Sequence, residues 1–422
     1  MLRLLIFTAA GCCLLLAALR AADLESLLTI RVQAIRVADD DGRRPANVTP
    51  AQVTEWVDFA NQAFAAARIR FEFSPDDGDY SVLNSTVIND MAGTQDANWS
   101  QAKKLGDEVA AGFPGKLVAF FRHGPGDQPT GGAFSWYDYN FVVMMGFADA
   151  SHCGHPHLDA FAHEVGHYLS LPHTFAVEPF ATIEQAEAYF KEKGSDPAVF
   201  DGDGFSDTPP DPAIRPLECQ RTASIVLDGV TFVLPRRNLM SYYDERDSLS
   251  QQQIAQARWL LALRLKGKGA LPTNTGARSP LEAEGLGVEQ PRDSDLSVQQ
   301  MASFGVDKWS ADAQLFCATR LGSSFTLTIP VERAGRFRLD LYATLAPDFG
   351  IVQAALDDKR VGGRFDAYAP VVLPSGPIPL ATVNLAAGSH RLRFDVIGKN
   401  AASTDFKLGL DCLDLVPAPP GE

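Results

Sequence analysis

Basic residues are scarce in this sequence of 422 residues, which contains 37 lysines and arginines against 52 aspartates and glutamates. The formal net charge is therefore −15. Proteins that bind nucleic acid or an anionic membrane surface need clustered lysine and arginine, so we exclude both as partners. The hydrophobic share of 46% and the charged share of 21% are typical of a soluble globular protein.

Long apolar runs are nearly absent, and the one that stands out is Leu4–Leu19 at the start of the chain. Arg3 precedes it and two alanines follow it, which is typical of an export signal. The run is short for a membrane span, although a single membrane anchor is the alternative. We predict a signal peptide at residues 1–22, no membrane span after its removal, and a secreted, periplasmic or cell-surface location.

Cysteines are also few, with six in the chain, and removal of the signal peptide would leave four. An exported protein enters an oxidising compartment, where cysteines are expected to pair. We predict the disulfides Cys153–Cys219 and Cys317–Cys412, because this pairing keeps each bond within one half of the chain. Sequence alone does not fix the connectivity, so other pairings remain open.

Histidines cluster in one segment that contains the H-E-x-x-H pattern. On a helix, His163 and His167 lie four residues apart on the same face, and two neutral imidazoles there suit zinc. Pro172 cannot continue a helix and disfavours helical backbone before it, so we expect a break at Ser170. The chain can then return His173 as a third ligand. Three protein ligands with one open position predict a catalytic zinc site.

Glu164 directly follows the first histidine of this pattern, so its side chain cannot point in quite the same direction. Its carboxylate is better placed to hold a water molecule and to take its proton. We therefore predict that Glu164 is a general base.

The segment HEVGHYLSLPH resembles the metzincin pattern H-E-x-x-H-x-x-G-x-x-H, with Ser170 at the glycine position. The segments GDGFSDTP, NLMSYY and SQQQIAQAR follow in an order and spacing similar to the pappalysin family of metzincin metalloproteases. This resemblance covers residues 150–258, and Pro172 and Ser241 are further departures from it. It implies a zinc endopeptidase with these site residues: His163, His167 and His173 as zinc ligands, Glu164 as general base, and Met240 in a Met-turn beneath the metal.

Two further predictions concern the substrate. Tyr242, two residues after the Met-turn methionine, is placed to hydrogen-bond a developing oxyanion. In metzincins an edge strand just before the zinc helix binds extended peptide by strand addition. Our candidate for that strand is residues 131–136, centred on Gly132, Ala133 and Phe134. An ordinary buried hairpin explains this stretch equally well.

An acidic loop follows the third histidine. The carboxylates of Asp201, Asp203 and Asp207, with Thr208 beside them, can surround a hard cation with oxygen ligands. A solvated turn capped by aspartates is the alternative. The resemblance to pappalysins implies calcium near this loop.

The chain has two parts of different character. Strand, helix and strand patterns precede the zinc helix, which predicts an α/β (α+β) metzincin-type domain at 23–265. Glycine, proline and charge at 266–303 predict a linker. Strand patterns separated by turns predict an all-β sandwich at 304–422. This last pattern resembles the galactose-binding-like jelly-roll modules appended to secreted enzymes.

The function predicted from these features is a secreted zinc endopeptidase acting on protein or peptide substrates. The C-terminal domain would tether or target the enzyme, for example through a carbohydrate. Trp309, Phe365 and Tyr368 are aromatic residues able to stack on a sugar, although core packing also explains each. The alternative function is a cell-surface or glycan-binding protein that keeps an inactive protease fold.

Overall fold

The structure of the chain is a computed structural model that describes residues 26–93, 98–126, 132–146, 151–277 and 280–419. The chain divides into two compact units, Met1–Leu271 and Pro272–Glu422. The predicted signal peptide lies outside the described residues. Among the helices of the described part, none combines the length and the apolar character that a membrane span requires.

A parallel sheet forms the centre of the first unit. Its strands are β1 (Leu28–Ala38), β2 (Ile69–Glu72), β3 (Tyr80–Asn84), β4 (Lys116–Arg122) and β5 (Phe141–Met145). They run in the order β2-β1-β4-β5, and β3 pairs with the second half of β1. Along β4, Leu117 and Phe121 enter the core on one face while Val118 and Phe120 enter the core on the other. The sheet is therefore buried on both faces, as parallel sheets normally are.

Helices cover both faces of this sheet. The helices of the first unit are α1 (Pro50–Ala63), α2 (Thr86–Asn89), α3 (Trp99–Ala111), α4 (Asp159–Tyr168), α5 (Ile183–Glu192), α6 (Arg215–Glu218) and α7 (Gln251–Lys266). Of these, α5 and α6 pack in an apolar cluster separate from the two cores on the faces of the sheet. Thr49 and Gln52 form a capping box that begins α1, and Pro50 takes the first position of the helix. Helices α1, α4 and α7 contribute to the core on one face, and α3 to the core on the other. The predicted α/β architecture is confirmed.

Two short antiparallel ribbons complete the first unit. One is formed by β6 (Ser151–His152) and β7 (His155–Pro156), just before α4. The other is formed by β8 (Ser224–Leu227) and β9 (Val230–Val233).

The second unit is an antiparallel β-sandwich. Its strands are β10 (Pro280–Glu282), β11 (Gly287–Gln300), β12 (Ala313–Val331), β13 (Gly335–Leu345), β14 (Gly350–Leu356), β15 (Lys359–Asp366), β16 (Leu373–Leu385), β17 (Gly388–Lys399) and β18 (Leu408–Pro417). The long strand β12 pairs with β18 through residues 315–317 and with β17 through residues 324–331. It thereby connects two layers around one apolar core. The predicted all-β class is confirmed.

The predicted linker at 266–303 is wrong over most of its length. Strand β11 pairs along β12, and β10 pairs with β18, so both belong to the second unit. The sequence of this segment predicts a linker because β11 is exposed over most of its length and carries polar side chains. Its pairing is also irregular between Glu289 and Ser294, around Pro291, which removes the alternation that predicts a strand.

Candidate functional site

Helix α4 brings two of the predicted zinc ligands together, and the turn after it brings the third. The Nε2 atom of His173 lies 3.2 Å from Nε2 of His163 and 3.0 Å from Nε2 of His167. A tetrahedral zinc ion with Zn–N distances of about 2.0–2.1 Å separates its nitrogen ligands by roughly 3.3 Å. The three imidazoles are therefore spaced as ligands of one ion.

Hydrogen bonds on the far side of two rings set their tautomers. The carbonyl oxygen of Leu239 lies 2.7 Å from Nδ1 of His163, and that of Leu171 lies 2.8 Å from Nδ1 of His167. A carbonyl only accepts, so each Nδ1 carries the proton and each Nε2 keeps its lone pair. Burial lowers the pKa of His167 to about 4, which keeps the ring neutral. Neutral imidazoles with converging lone pairs are the form that binds a metal ion.

The turn between the second and third histidines has left-handed backbone at the predicted position. Ser170 has a φ of 67°, and its N–H bonds to the carbonyl oxygen of His167. The N–H of Leu171 reaches back to the carbonyl oxygen of Gly166 at 2.9 Å, which closes the end of the helix. Serine thus adopts the conformation that glycine takes more easily at this position.

Glu164 is buried beside this site, and burial raises the pKa of its carboxyl group to about 8. The backbone N–H of Ser135 and the positive charge of Arg246 act in the opposite direction. Within the described part of the chain, Oε2 of Glu164 is buried without a hydrogen-bond partner. A buried acceptor in this state calls for a water molecule or a positive ion.

Met240 packs directly against α4, the helix that carries His163 and His167. A Cβ atom placed on Gly166 would lie 2.3 Å from the Met240 sulfur, so a larger residue there would displace the methionine side chain. The carbonyl oxygen of Met240 also accepts a hydrogen bond from the N–H of Thr174, the residue after the third histidine. Met240 is fully buried, as the Met-turn prediction requires. The turn supports the helix and the third ligand together.

Tyr242 lies beside two of the three histidines. Its ring centroid is 4.9 Å from that of His173 and 5.8 Å from that of His163. Burial and the neighbouring charge of Glu164 raise the pKa of Tyr242 to about 12, so its hydroxyl stays protonated and able to donate.

Arg246 is a buried residue of this site that the sequence analysis missed. Its guanidinium contacts the carboxylate of Asp159, donates to the carbonyl oxygen of Ser241 at 2.8 Å, and lies 2.9 Å from Nε2 of His157. It also lies 3.2 Å from Nδ1 of His163. No local motif marks such a residue, because Asp159 is 87 positions away in the chain.

The predicted substrate strand lies at the edge of the sheet. Phe134 forms an antiparallel bridge to Val143 of β5, the last strand in the order, with hydrogen bonds of 2.9 and 3.0 Å. Gly132 is exposed while Ala133 and Phe134 are half-buried. This exposure favours the edge over the buried hairpin. Peptide binding there stays a prediction, and residue 131 lies outside the described residues.

The acidic loop makes hydrogen bonds within the protein. Asp201 accepts from the N–H of Gly204, and Asp203 from Thr208 and Gln253. Asp207 accepts from the N–H of Gln252 at the start of α7. The described residues contain three groups with converging potential metal ligands, and this loop is not one of them. Calcium binding remains a prediction without support from this geometry.

The other two groups differ from the histidines. One consists of His152 with Cys153 and Cys219, whose sulfurs form the predicted disulfide. The other consists of Glu282, Asp411 and Cys412 in the second unit.

The predicted bond between Cys317 and Cys412 is wrong, since both are free and buried. The register pairs Cys317 of β12 with Leu408 of β18, which leaves Cys412 four residues further along. At about 3.3 Å per residue this is roughly 13 Å, beyond the Cα separation of about 7 Å that a disulfide spans.

The three aromatic residues considered as carbohydrate contacts differ in their exposure to solvent. Trp309 is buried and donates its indole N–H to Thr344, so it belongs to the core. Phe365 and Tyr368 are half-buried.

Residues 139–262 match the model of peptidase family M43, described as pregnancy-associated plasma protein-A. This part of the first unit is therefore similar to an M43 peptidase domain. Peptidase M43 is a family of zinc metalloproteases, so the enzyme class predicted from the histidine motif is confirmed. The matched segment contains all three histidines and the Met-turn. Comparison with curated proteins by sequence gave no match.

Solved structures resemble about a third of the chain. A Paenibacillus xanthan lyase shares 21% identity over 36% of this chain and 14% of its own, with a TM-score of 0.30. A family 35 carbohydrate-binding module from Clostridium thermocellum shares 14% identity over 33% of this chain and 98% of its own, with a TM-score of 0.23. The chain spans 14%, 28% and 30% of the first three enzymes that it matches.

Proposed function

We propose that the first unit is an endopeptidase that hydrolyses peptide bonds by activating a water molecule with Glu164. The observation that carries this proposal is the convergence of three histidine Nε2 atoms beside a buried glutamate with an unpaired oxygen. The residues that would hold zinc are His163, His167 and His173. When bound there, zinc acts as a Lewis acid that polarises a carbonyl group and makes a water molecule more acidic.

The protein residues then move and hold protons. Glu164 takes a proton from the attacking water and returns it to the nitrogen of the leaving amine. Tyr242, whose ring lies against His173, donates its hydroxyl hydrogen to the oxyanion that develops on the scissile carbonyl. The edge stretch at Gly132–Phe134 positions the peptide by strand pairing.

We further propose that the chain is exported. The apolar segment at its start supports this location. The Cys153–Cys219 disulfide supports it too, since such bonds persist in oxidising compartments. Binding of a carbohydrate by the second unit, and of calcium by the Asp201–Thr208 loop, are further proposals that rest on the sequence patterns.

The test combines metal analysis with proteolysis. We expect about one zinc ion per chain and cleavage of casein that a chelator abolishes. Glu164→Gln keeps the size of the side chain but cannot accept the proton, so kcat/KM should fall by about 10²–10⁴-fold while zinc remains bound. Glu55→Gln, on the exposed side of α1, is the matched control and should cleave like the wild type.

A folded protein without zinc would refute the proposal. Zinc binding without cleavage of any peptide, in wild type and Glu164→Gln alike, would favour the inactive binding protein.

A further inference from the structure

Trp136 is a large aromatic residue exposed next to the histidine site. It is 44% exposed, whereas Trp56 and Trp309 are buried in the cores of the two units. Its ring centroid lies 6.0 Å from that of His167 and 5.7 Å from that of Tyr137. An exposed indole against a predicted metal ligand has an apolar face available to a bound molecule.

The backbone around Trp136 is fixed on both sides. Before it, Phe134 is bridged to β5, and the hydroxyl of Ser135 donates to the carbonyl oxygen of Phe141 at 3.1 Å. After it, the N–H of Tyr139 donates to the carbonyl oxygen of Trp136 at 3.0 Å. The indole is therefore presented by an ordered segment, and binding against it requires little additional ordering of the chain.

The same segment connects Trp136 to the proposed general base. The backbone N–H of Ser135, the residue before it, hydrogen-bonds to the carboxylate of Glu164. Trp136 thus follows a residue bonded to the proposed base and packs against a histidine of the site. A peptide with its scissile bond at this site would place a neighbouring side chain within reach of the indole.

We propose that Trp136 determines specificity by packing against a large apolar side chain that flanks the scissile bond. This inference rests on the proposed endopeptidase function. Burial of apolar surface is non-directional and scales with area, so phenylalanine or leucine at that position should be favoured over glycine. We expect the preference, measured as a ratio of kcat/KM values, to be about 10-fold.

The experiment uses fluorogenic peptides that are identical except at the residues on either side of the cleaved bond. Phenylalanine, leucine, glycine and arginine are compared at each position. The readout is the ratio of kcat/KM for the phenylalanine peptide to that for the glycine peptide. Such a ratio does not change when a variant only lowers the amount of folded enzyme.

Trp136→Ala should reduce this ratio about 10-fold, and Trp136→Phe should keep most of it. Val226→Ala, which changes an exposed apolar residue on β8, is the matched control and should keep the wild-type ratio.

An unchanged ratio in Trp136→Ala would overturn the inference while leaving the endopeptidase function standing. A wild-type preference for arginine that is lost in Trp136→Ala would also overturn it, since that result indicates a cation–π contact. Failure of the wild type to cleave any peptide would instead overturn the proposed function, and this inference with it.

Discussion

Each unit of the molecule buries a cluster of titratable side chains, and the two clusters differ in composition. The first contains the three histidines and the guanidinium of Arg246. The second contains the carboxyl groups of Glu282, Glu284 and Asp411, near Cys412. In the second cluster Ser310 donates to Glu282 through its hydroxyl at 2.7 Å and to Asp411 through its N–H at 3.1 Å.

Burial acts on both clusters, but it has opposite consequences for their capacity to bind a metal ion. Burial lowers the pKa of the histidines and raises the pKa of Asp411 to about 7, to which the charges of Glu282 and Glu284 add. Burial therefore favours the neutral form in each case. A neutral imidazole still has a lone pair for a metal ion, whereas a protonated carboxyl group loses most of its capacity to bind one. This difference between the two neutral groups explains why buried histidines, rather than buried aspartates, can bind a metal ion at neutral pH.

Among the variants that test this comparison, we expect Arg246→Met to change the free energy of unfolding most. This variant removes the cation of the first cluster. The side chains of Arg246 and Asp159 are 5% and 12% exposed, so the variant leaves a buried carboxylate without its partner. We expect a loss of about 3–5 kcal/mol in the free energy of unfolding. Urea unfolding followed by tryptophan fluorescence reports mainly on the first unit, which holds four of the five tryptophans.

Arg237→Met is the control for this variant. It removes an exposed ion pair to Asp247, with side chains 71% and 42% exposed, and should cost less than about 1 kcal/mol. Equal losses in the two variants would show that Arg246 contributes no more than a surface residue.

A smaller effect is expected from Asp411→Asn in the second cluster. The pKa of Asp411 is raised on folding, so its stabilising contribution is complete below its unfolded pKa of about 4 and is lost as the pH rises through about 7. Wild type should therefore be less stable at pH 8 than at pH 5. Asparagine should remove this dependence and stabilise the second unit by roughly 1–3 kcal/mol at pH 8.

Calorimetry at both pH values, in buffer containing a chelator, measures this difference. Asp358→Asn changes an exposed aspartate of the same unit and should leave the pH dependence intact. If Asp411→Asn were less stable than wild type at pH 8, the ionised carboxylate would be stabilising and the comparison of the two clusters would fail.

The smallest effect should come from Ser170→Gly in the turn of the first cluster. Serine at a φ of 67° is disfavoured by roughly 1–2 kcal/mol, and its buried hydroxyl oxygen has no hydrogen-bond partner among the described residues. Glycine removes both of these costs. It also has more conformational freedom in the unfolded chain, which lowers the stability of the folded state by about 0.5–1 kcal/mol. We expect a net gain of about 0.5 kcal/mol, measured by urea unfolding.

Ser170→Ala separates the two contributions to this gain, because it removes the hydroxyl and keeps the disfavoured backbone. Lower stability for glycine than for serine would mean that the left-handed conformation is not a cost at this position.

The zinc helix, its break and the Met-turn could be predicted from sequence because their residues are close together and have fixed spacing. Arg246 could not be predicted, because its partners come from distant segments. The Cys317–Cys412 bond was wrong because strand register, which sequence patterns do not specify, separates the two residues. Strand β11 was missed because an exposed edge strand carries polar side chains in place of an apolar alternation.

The Cys153–Cys219 bond affects how a zinc measurement on this protein is to be interpreted. In a reducing host the bond would not form, and two thiols would lie close to His152, with potential ligand atoms within 4.8 Å of one another. Two thiolates and an imidazole are favourable zinc ligands. A zinc ion bound by these ligands in protein from a bacterial cytoplasm would be unrelated to catalysis. Only protein with the disulfide intact gives a metal stoichiometry that counts the peptidase site alone.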